Sequence, residues 1–149
     1  MSIINNVPRR PVLLVILDGF GVNPSKRNNA VLEADETLDK EAGKLLDVAY
    51  KLGYSTILTA DHGNCEELID PFSGEPHTQH TTYPVPCLVV DEVNWRLSTS
   101  GGLSNIAPTV LELMGLKKPD EMTSRSLLLN QIPGERPKAL RQVELRGAA

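Results

Sequence analysis

The sequence predicts an α/β domain built on a reduced, mostly parallel sheet flanked by helices. Two observations carry this. Short apolar runs and helix-period stretches alternate in the order strand, helix, strand, then strand and helix. Asp18 and Asp61-His62 stand directly after the first two apolar runs, and ligand sites of such sheets lie beyond the carboxyl ends of the strands.

Val12–Leu17 is a continuous apolar run, the pattern of a strand covered on both faces. It ends sharply at Asp18-Gly-Phe-Gly21, where glycines permit a tight turn. Residues 22–29 read as a loop. From about Thr37 to Leu52 the apolar positions Leu38, Ala42, Leu45, Leu46, Ala49 and Leu52 mark one helix face, and Gly53 suits its end. Tyr54–Ala60 is a second strand, running into Asp61-His-Gly-Asn64. Turn chemistry at Asp70-Pro71 and Ser73-Gly74 occupies residues 65–84. Val85–Val90 is a third strand, with Pro86 near its start, where a missing donor is tolerated. Asn94–Ser98 is a candidate edge strand. Asn105–Met114 is a helix with Pro108 in its first turn and Gly115 at its end. Residues 117–128 are turns and a short apolar patch. The domain is assigned to 1–130. Residues 131–149, with Pro133, Gly134 and Pro137, form a C-terminal tail expected to be frayed or bound to a partner.

Composition narrows the function. A length of 149 residues with 40% hydrophobic and 23% charged residues suits one domain with a core. A net charge of −4 and no basic run argue against a nucleic-acid partner. The cysteines, Cys65 and Cys87, make no disulfide framework, so a reducing, cytoplasmic setting is expected. Val12–Leu17 is too short for a signal peptide or membrane span, and no membrane partner is expected.

The chemistry concentrates on Asp18, Asp61, His62 and His80. Carboxylates and imidazoles at strand ends make a ligand set for Mn²⁺ or Zn²⁺: imidazole favours transition metals, and carboxylate keeps Mn²⁺ competitive. We expect Mn²⁺, with Zn²⁺ and Mg²⁺ as alternatives. Each motif has a plainer reading, since Asp-Gly after a strand is often only a turn, and Asp-His-Gly-Asn can be a hydrogen-bonded loop. Two carboxylates at strand ends together with clustered histidines favour the metal. His77 is a further candidate, with a surface histidine as its alternative.

Several long motifs, in order over about residues 11–128, resemble cofactor-independent phosphoglycerate mutases of the alkaline-phosphatase superfamily. Leu17-Asp-Gly-Phe-Gly-Val-Asn-Pro-Ser25 is similar to their opening motif. Thr59-Ala-Asp-His-Gly-Asn64 is similar to the second metal motif, and His80-Thr-Thr-Tyr-Pro-Val-Pro86 to the third. Leu103–Gly115 and Lys118-Pro-Asp-Glu-Met-Thr123 resemble the closing segment.

The resemblance implies an alkaline-phosphatase-like layered fold and a two-metal site interconverting 3- and 2-phosphoglycerate, a step of glycolysis. One ion would be held by Asp18, Asp61, His62 and a nucleophilic serine. The other would use His80 with an aspartate and a histidine from an Asp-x-x-x-His segment. Paired ions sharpen the nucleophile and neutralise charge on the transferring group. This chain departs from that pattern. No Asn-Ser-Glu-x-Gly-His motif lies between Asp18 and Asp61, and no Asp-x-x-x-His ends in any of the histidines. Ser25 belongs to the opening loop and Ser55 to a predicted strand. The inserted substrate-clamping domain is absent, with a join near Ala30–Glu36. The expected catalytic residues are therefore none. The chain reads as a shortened metal-binding core, impaired or inactive in isolation, with a phosphorylated small molecule as its ligand class. The alternative is a non-catalytic metal-binding or subunit-association module, a homodimer through an exposed sheet edge or the tail.

Overall fold

The computed structural model describes residues 10–33 and 35–133. In chain order the elements are β1 (Val12–Ile16), α1 (Ala30–Glu33), α2 (Asp35–Lys51), β2 (Ser55–Thr59), β3 (Cys87–Val90), β4 (Trp95–Leu97), α3 (Ile106–Leu113) and β5 (Leu128–Gln131). A single 3₁₀ turn, Leu103–Asn105, leads into α3. Among these residues no helix is long and apolar enough to cross a membrane.

The main sheet has the order β1-β2-β3. β1 and β2 run parallel, with Val12 opposite Ser55 and Ile16 opposite Thr59. β3 is antiparallel to β2, with Thr59 opposite Cys87 and Thr56 opposite Val90. The sheet is therefore mixed, and the expectation of a mostly parallel sheet holds for β1 and β2 but not for β3. The reason lies in the connection. Residues 60–86 hold turns and bridges but no helix, and only a parallel return needs a long crossover. The chain thus leaves β2 and enters β3 at the same end of the sheet, which keeps the whole 60–86 loop over that end.

β2 is central and buried at every position. α2 covers one face of the sheet: Leu46, Leu58 and Val90 form the core cluster, with Val15, Leu17, Ala42, Tyr50 and Leu88 packed around it. Gly53, at φ +81, ends α2, and the amide of Tyr54 donates back to the Ala49 carbonyl at 2.9 Å. β1 and β3 are the two edges of the sheet among the described strands; β1 is the more open. Its second face is open, with Leu14 at 40% and Ile16 at 54% exposure, so the apolar run is not covered on both sides as its composition suggests.

The candidate strand at Asn94–Ser98 is β4, paired antiparallel with β5. Asp91 ties this ribbon to the main sheet: it accepts hydrogen bonds from the Ser55 hydroxyl and from Trp95 Nε1, both at 2.8 Å. Thr109 on α3 is wholly buried; its hydroxyl donates to the Asn105 carbonyl and accepts from the Leu127 amide at 2.9 Å. β5 runs to Gln131, and the Ile132 amide donates to the Asn94 carbonyl at 2.8 Å. The expectation for the rest of the tail lies outside the described residues.

Candidate metal centre

Parallel pairing of β1 and β2 sets their carboxyl ends level, and the Leu17 amide extends the ladder to the Thr59 carbonyl at 2.8 Å. Asp18 and Asp61 each follow within two residues of that last contact, so both carboxylates emerge at one rim. Gly19 turns the first loop with φ +70, a conformation costly for other residues. Its carbonyl accepts the amides of Asn64 (3.0 Å) and Cys65 (2.9 Å), which lashes the first loop to the second.

Asp61 Oδ1 accepts the amides of His62 at 3.0 Å and Gly19 at 3.3 Å. Burial works against ionisation of Asp61, but these amides and the neighbouring imidazole outweigh it and hold the carboxyl below its ordinary range. The other oxygen, Oδ2, lies 3.5 Å from His62 Nε2, and Asp18 Oδ1 lies 3.6 Å from the same nitrogen. His62 Nδ1 is 3.2 Å from the Gly63 carbonyl. In the Nδ1–H tautomer that contact is a hydrogen bond, and Nε2 turns its lone pair towards the two carboxylates. Ligand atoms of Asp18, Asp61 and His62 all lie within 4.8 Å of one another. Three electron-pair donors converging in this way fit a divalent cation, and a backbone carbonyl fixing the far ring nitrogen is the usual support of a ligating histidine. Asp18 is 88% exposed at its side chain, so the centre is open on one side.

His80 is exposed and stacks its ring on His62, with centroids 3.4 Å apart and planes 13° from parallel. It borders the converged trio without joining it. His77 is elsewhere, in the turn closed by the Ile69–Pro76 bridge; its amide donates to the Leu68 carbonyl at 2.9 Å, and its Nδ1 is buried with no partner among the described residues. Ser55 is spent on Asp91 at the far end of β2. The Ser25 hydroxyl accepts the Arg27 amide at 3.4 Å within the opening loop. Beside the trio, a cavity of about 430 Å³ runs from Asp61 and His62 past Tyr83 to Leu103 and Leu127.

Sequence reasoning missed Glu66 and Thr81. Glu66 is wholly buried behind the loops; a glutamate just past a turn carries no mark of burial in the sequence. Asn29 was missed in the same way: it is wholly buried, its amide nitrogen donates to the carbonyls of Asn23 and Ser25, and its oxygen caps α1 by accepting the Leu32 amide at 3.1 Å.

Residues 29–118 match the family model described as the metalloenzyme superfamily. The chain belongs to the metalloenzyme superfamily. It is 51% identical over 104 residues to a 2,3-bisphosphoglycerate-independent phosphoglycerate mutase of Rhodopirellula baltica, covering 68% of this chain and 19% of that protein. The corresponding figures for mutase 2 of Methanosarcina barkeri are 45% over 100 residues, 67% and 19%. A solved structure of Leishmania mexicana phosphoglycerate mutase, described as at low cobalt concentration, aligns with TM-score 0.50 and 28% identity over 63% of this chain and 20% of that one. The chain therefore spans about a fifth of the length of the curated relatives it matches. Within the superfamily, the alkaline-phosphatase-like fold expected from the motifs holds, and the matched region contains the β2-to-β3 loop that carries Asp61 and His62.

Proposed function

We propose that this chain is the metal-binding core of a phosphoglycerate-mutase-type phosphoryl-transfer site, holding one divalent ion through Asp18, Asp61 and His62. The observation that carries the reading is the convergence of three ligand atoms, from two strand ends, within 4.8 Å. Two carboxylates with one imidazole favour Mn²⁺, with Zn²⁺ or Mg²⁺ as substitutes. When bound, the ion supplies positive charge to a phosphoryl oxygen. The protein's own groups fix the geometry: the amides of Gly19 and His62 hold one oxygen of Asp61, and the Gly63 carbonyl orients His62. His80 flanks the site, where it would serve a second ion or a substrate phosphate; His77 lies in another turn and is the weaker ligand candidate. The adjoining cavity has room for a phosphorylated small molecule of monophosphoglycerate size.

The phosphoglycerate mutase activity for which the much longer relatives are named would here mean interconversion of 3- and 2-phosphoglycerate in the cytoplasm, and a covalent route requires an acceptor on the protein. Ser25 and Ser55 are both engaged away from the trio, which favours a core impaired in turnover. The same fact supports the second reading, a non-catalytic metal-binding module that pairs with a second copy of itself. In either reading the expected boundary at residue 130 moves a little later, because β5 runs to Gln131 and the Ile132 amide is bonded to the Asn94 carbonyl.

The test is to strip the protein with chelator and restore Mn²⁺. At a hundredfold excess over the dissociation constant, thermal unfolding should move by the equivalent of about 2.7 kcal/mol. Asp18→Ala and Asp61→Ala should each remove that shift, and mutase turnover should be absent. A Mn²⁺ shift that survives both substitutions would refute the site. Mutase turnover in the parent that both substitutions abolish would overturn the inactive state.

A further inference from the structure

Glu66 stands at the junction of three loops and belongs to none of the ligand motifs. Its side chain is wholly buried. Oε2 accepts the amide of Gly21, at 3.0 Å, from the loop that begins with Asp18. The same oxygen accepts the amide of Asn64, at 2.8 Å, from the loop that begins with Asp61 and His62. Oε1 accepts the hydroxyl of Thr81, the neighbour of His80. Thr81 is also bound to the second loop through its amide, which donates to the Gly63 carbonyl at 2.9 Å.

The fit around the carboxylate is close. A β-carbon on Gly21 would lie 2.3 Å from its carboxyl carbon, and one on Gly63 would lie 2.2 Å from both Oε1 and the Thr81 hydroxyl. Glycine at both positions lets two backbones close over one side chain. A buried carboxylate is costly unless its lone pairs are met, and here three donors, one from each loop, meet them.

We propose that Glu66 is the positioning residue of the metal centre: through one carboxylate it fixes the relative placement of the loops carrying Asp18, Asp61-His62 and His80. This rests on the metal reading for its consequence, but its geometry does not. A glutamate that merely fills the core would alter stability without selectively moving the ligands.

The test uses Glu66→Gln, Glu66→Ala and Thr81→Val in the full chain. The amide of Gln can keep all three contacts, its oxygen accepting both backbone amides and its nitrogen donating to Thr81. Two readouts are needed. The first is Mn²⁺ affinity by calorimetry. Glu66→Ala should weaken it about tenfold or more, the scale of lost ligand support, and Glu66→Gln should stay within about threefold of the parent. The second is the metal-free NMR signals of the His62 and His80 rings. Their mutual ring-current shifts should persist in Glu66→Gln and collapse in Glu66→Ala and Thr81→Val, while amide signals of β2 and α2 stay in place. If Glu66→Ala does not fold, Thr81→Val and Glu66→Gln still decide the matter on the ring signals. Ring signals unchanged in Thr81→Val, or lost equally in Glu66→Gln, overturn the proposal. Should the parent itself not bind Mn²⁺ while the ring signals follow this pattern, the metal reading fails and the loop-tethering role stands.

Discussion

At the scale of single residues, two glycines face opposite demands. Gly63 lies where the second and third loops touch, and a methyl group there would overlap Glu66 Oε1 and the Thr81 hydroxyl, each 2.2 Å away. Gly43 lies inside α2 with nothing within 4 Å of its would-be β-carbon. Gly63→Ala should therefore cost about 1–3 kcal/mol, the range of an overpacked interior. Gly43→Ala should stabilise by about 0.5–1 kcal/mol, because the unfolded chain loses freedom and the helix gains a better former. Urea unfolding of both variants checks the pair, and equal effects would show that the packing around Glu66 is looser than described. The composition of the two sites gives no hint of the difference. Asp18, Asp61 and His62 could be picked out because strand ends and turn glycines mark them. Glu66 and Asn29 could not, since what sets them apart is burial against loops far off in sequence.

At the scale of elements, only part of the apolar face of α2 meets the sheet. Leu46 is 1% exposed and packs on Leu58 and Val90, whereas Leu45, one residue earlier, is 44% exposed and lies beside the exposed Val48 and Leu52. Leu46→Ala should cost about 2–5 kcal/mol, as deletions from a filled core do. Leu45→Ala should cost well under about 1 kcal/mol, as for surface positions. Chemical denaturation of the two variants measures this. The helical period from Leu38 to Leu52 located α2 within two residues, because spacing follows directly from helix geometry. The pattern could not say which of Leu45 and Leu46 meets the sheet, since both fall on one broad apolar face. β1, β2, α3 and the short β4 were legible for similar local reasons. The direction of β3 was not, because it depends on a connection without a helix, and nothing within Val85–Val90 encodes it. β5 was missed because Leu128–Gln131 has only two apolar residues and takes its order from pairing with β4.

At the scale of the molecule, the open features gather at β1. The matched region of this chain covers 19% of each of the two curated relatives named above. β1 pairs on one edge only among the described strands, and Leu14 and Ile16 are exposed on the face that α2 does not cover. An unpaired edge beside exposed aliphatic side chains invites another strand, and a second copy offers an identical one that can pair about a two-fold axis. The homodimer proposed above should therefore form through β1. Light scattering across a dilution series should give twice the monomer mass at high concentration and the monomer mass on dilution. Ile16→Lys places a charge on the exposed face while leaving the Val15 and Leu17 contacts intact, so it should shift the midpoint of that transition to at least about tenfold higher concentration, a change of about 1.4 kcal/mol in association. Monomer mass at every concentration for the parent would rule the dimer out. A dimer indifferent to Ile16→Lys would move the interface away from β1, to a surface that this strand does not form.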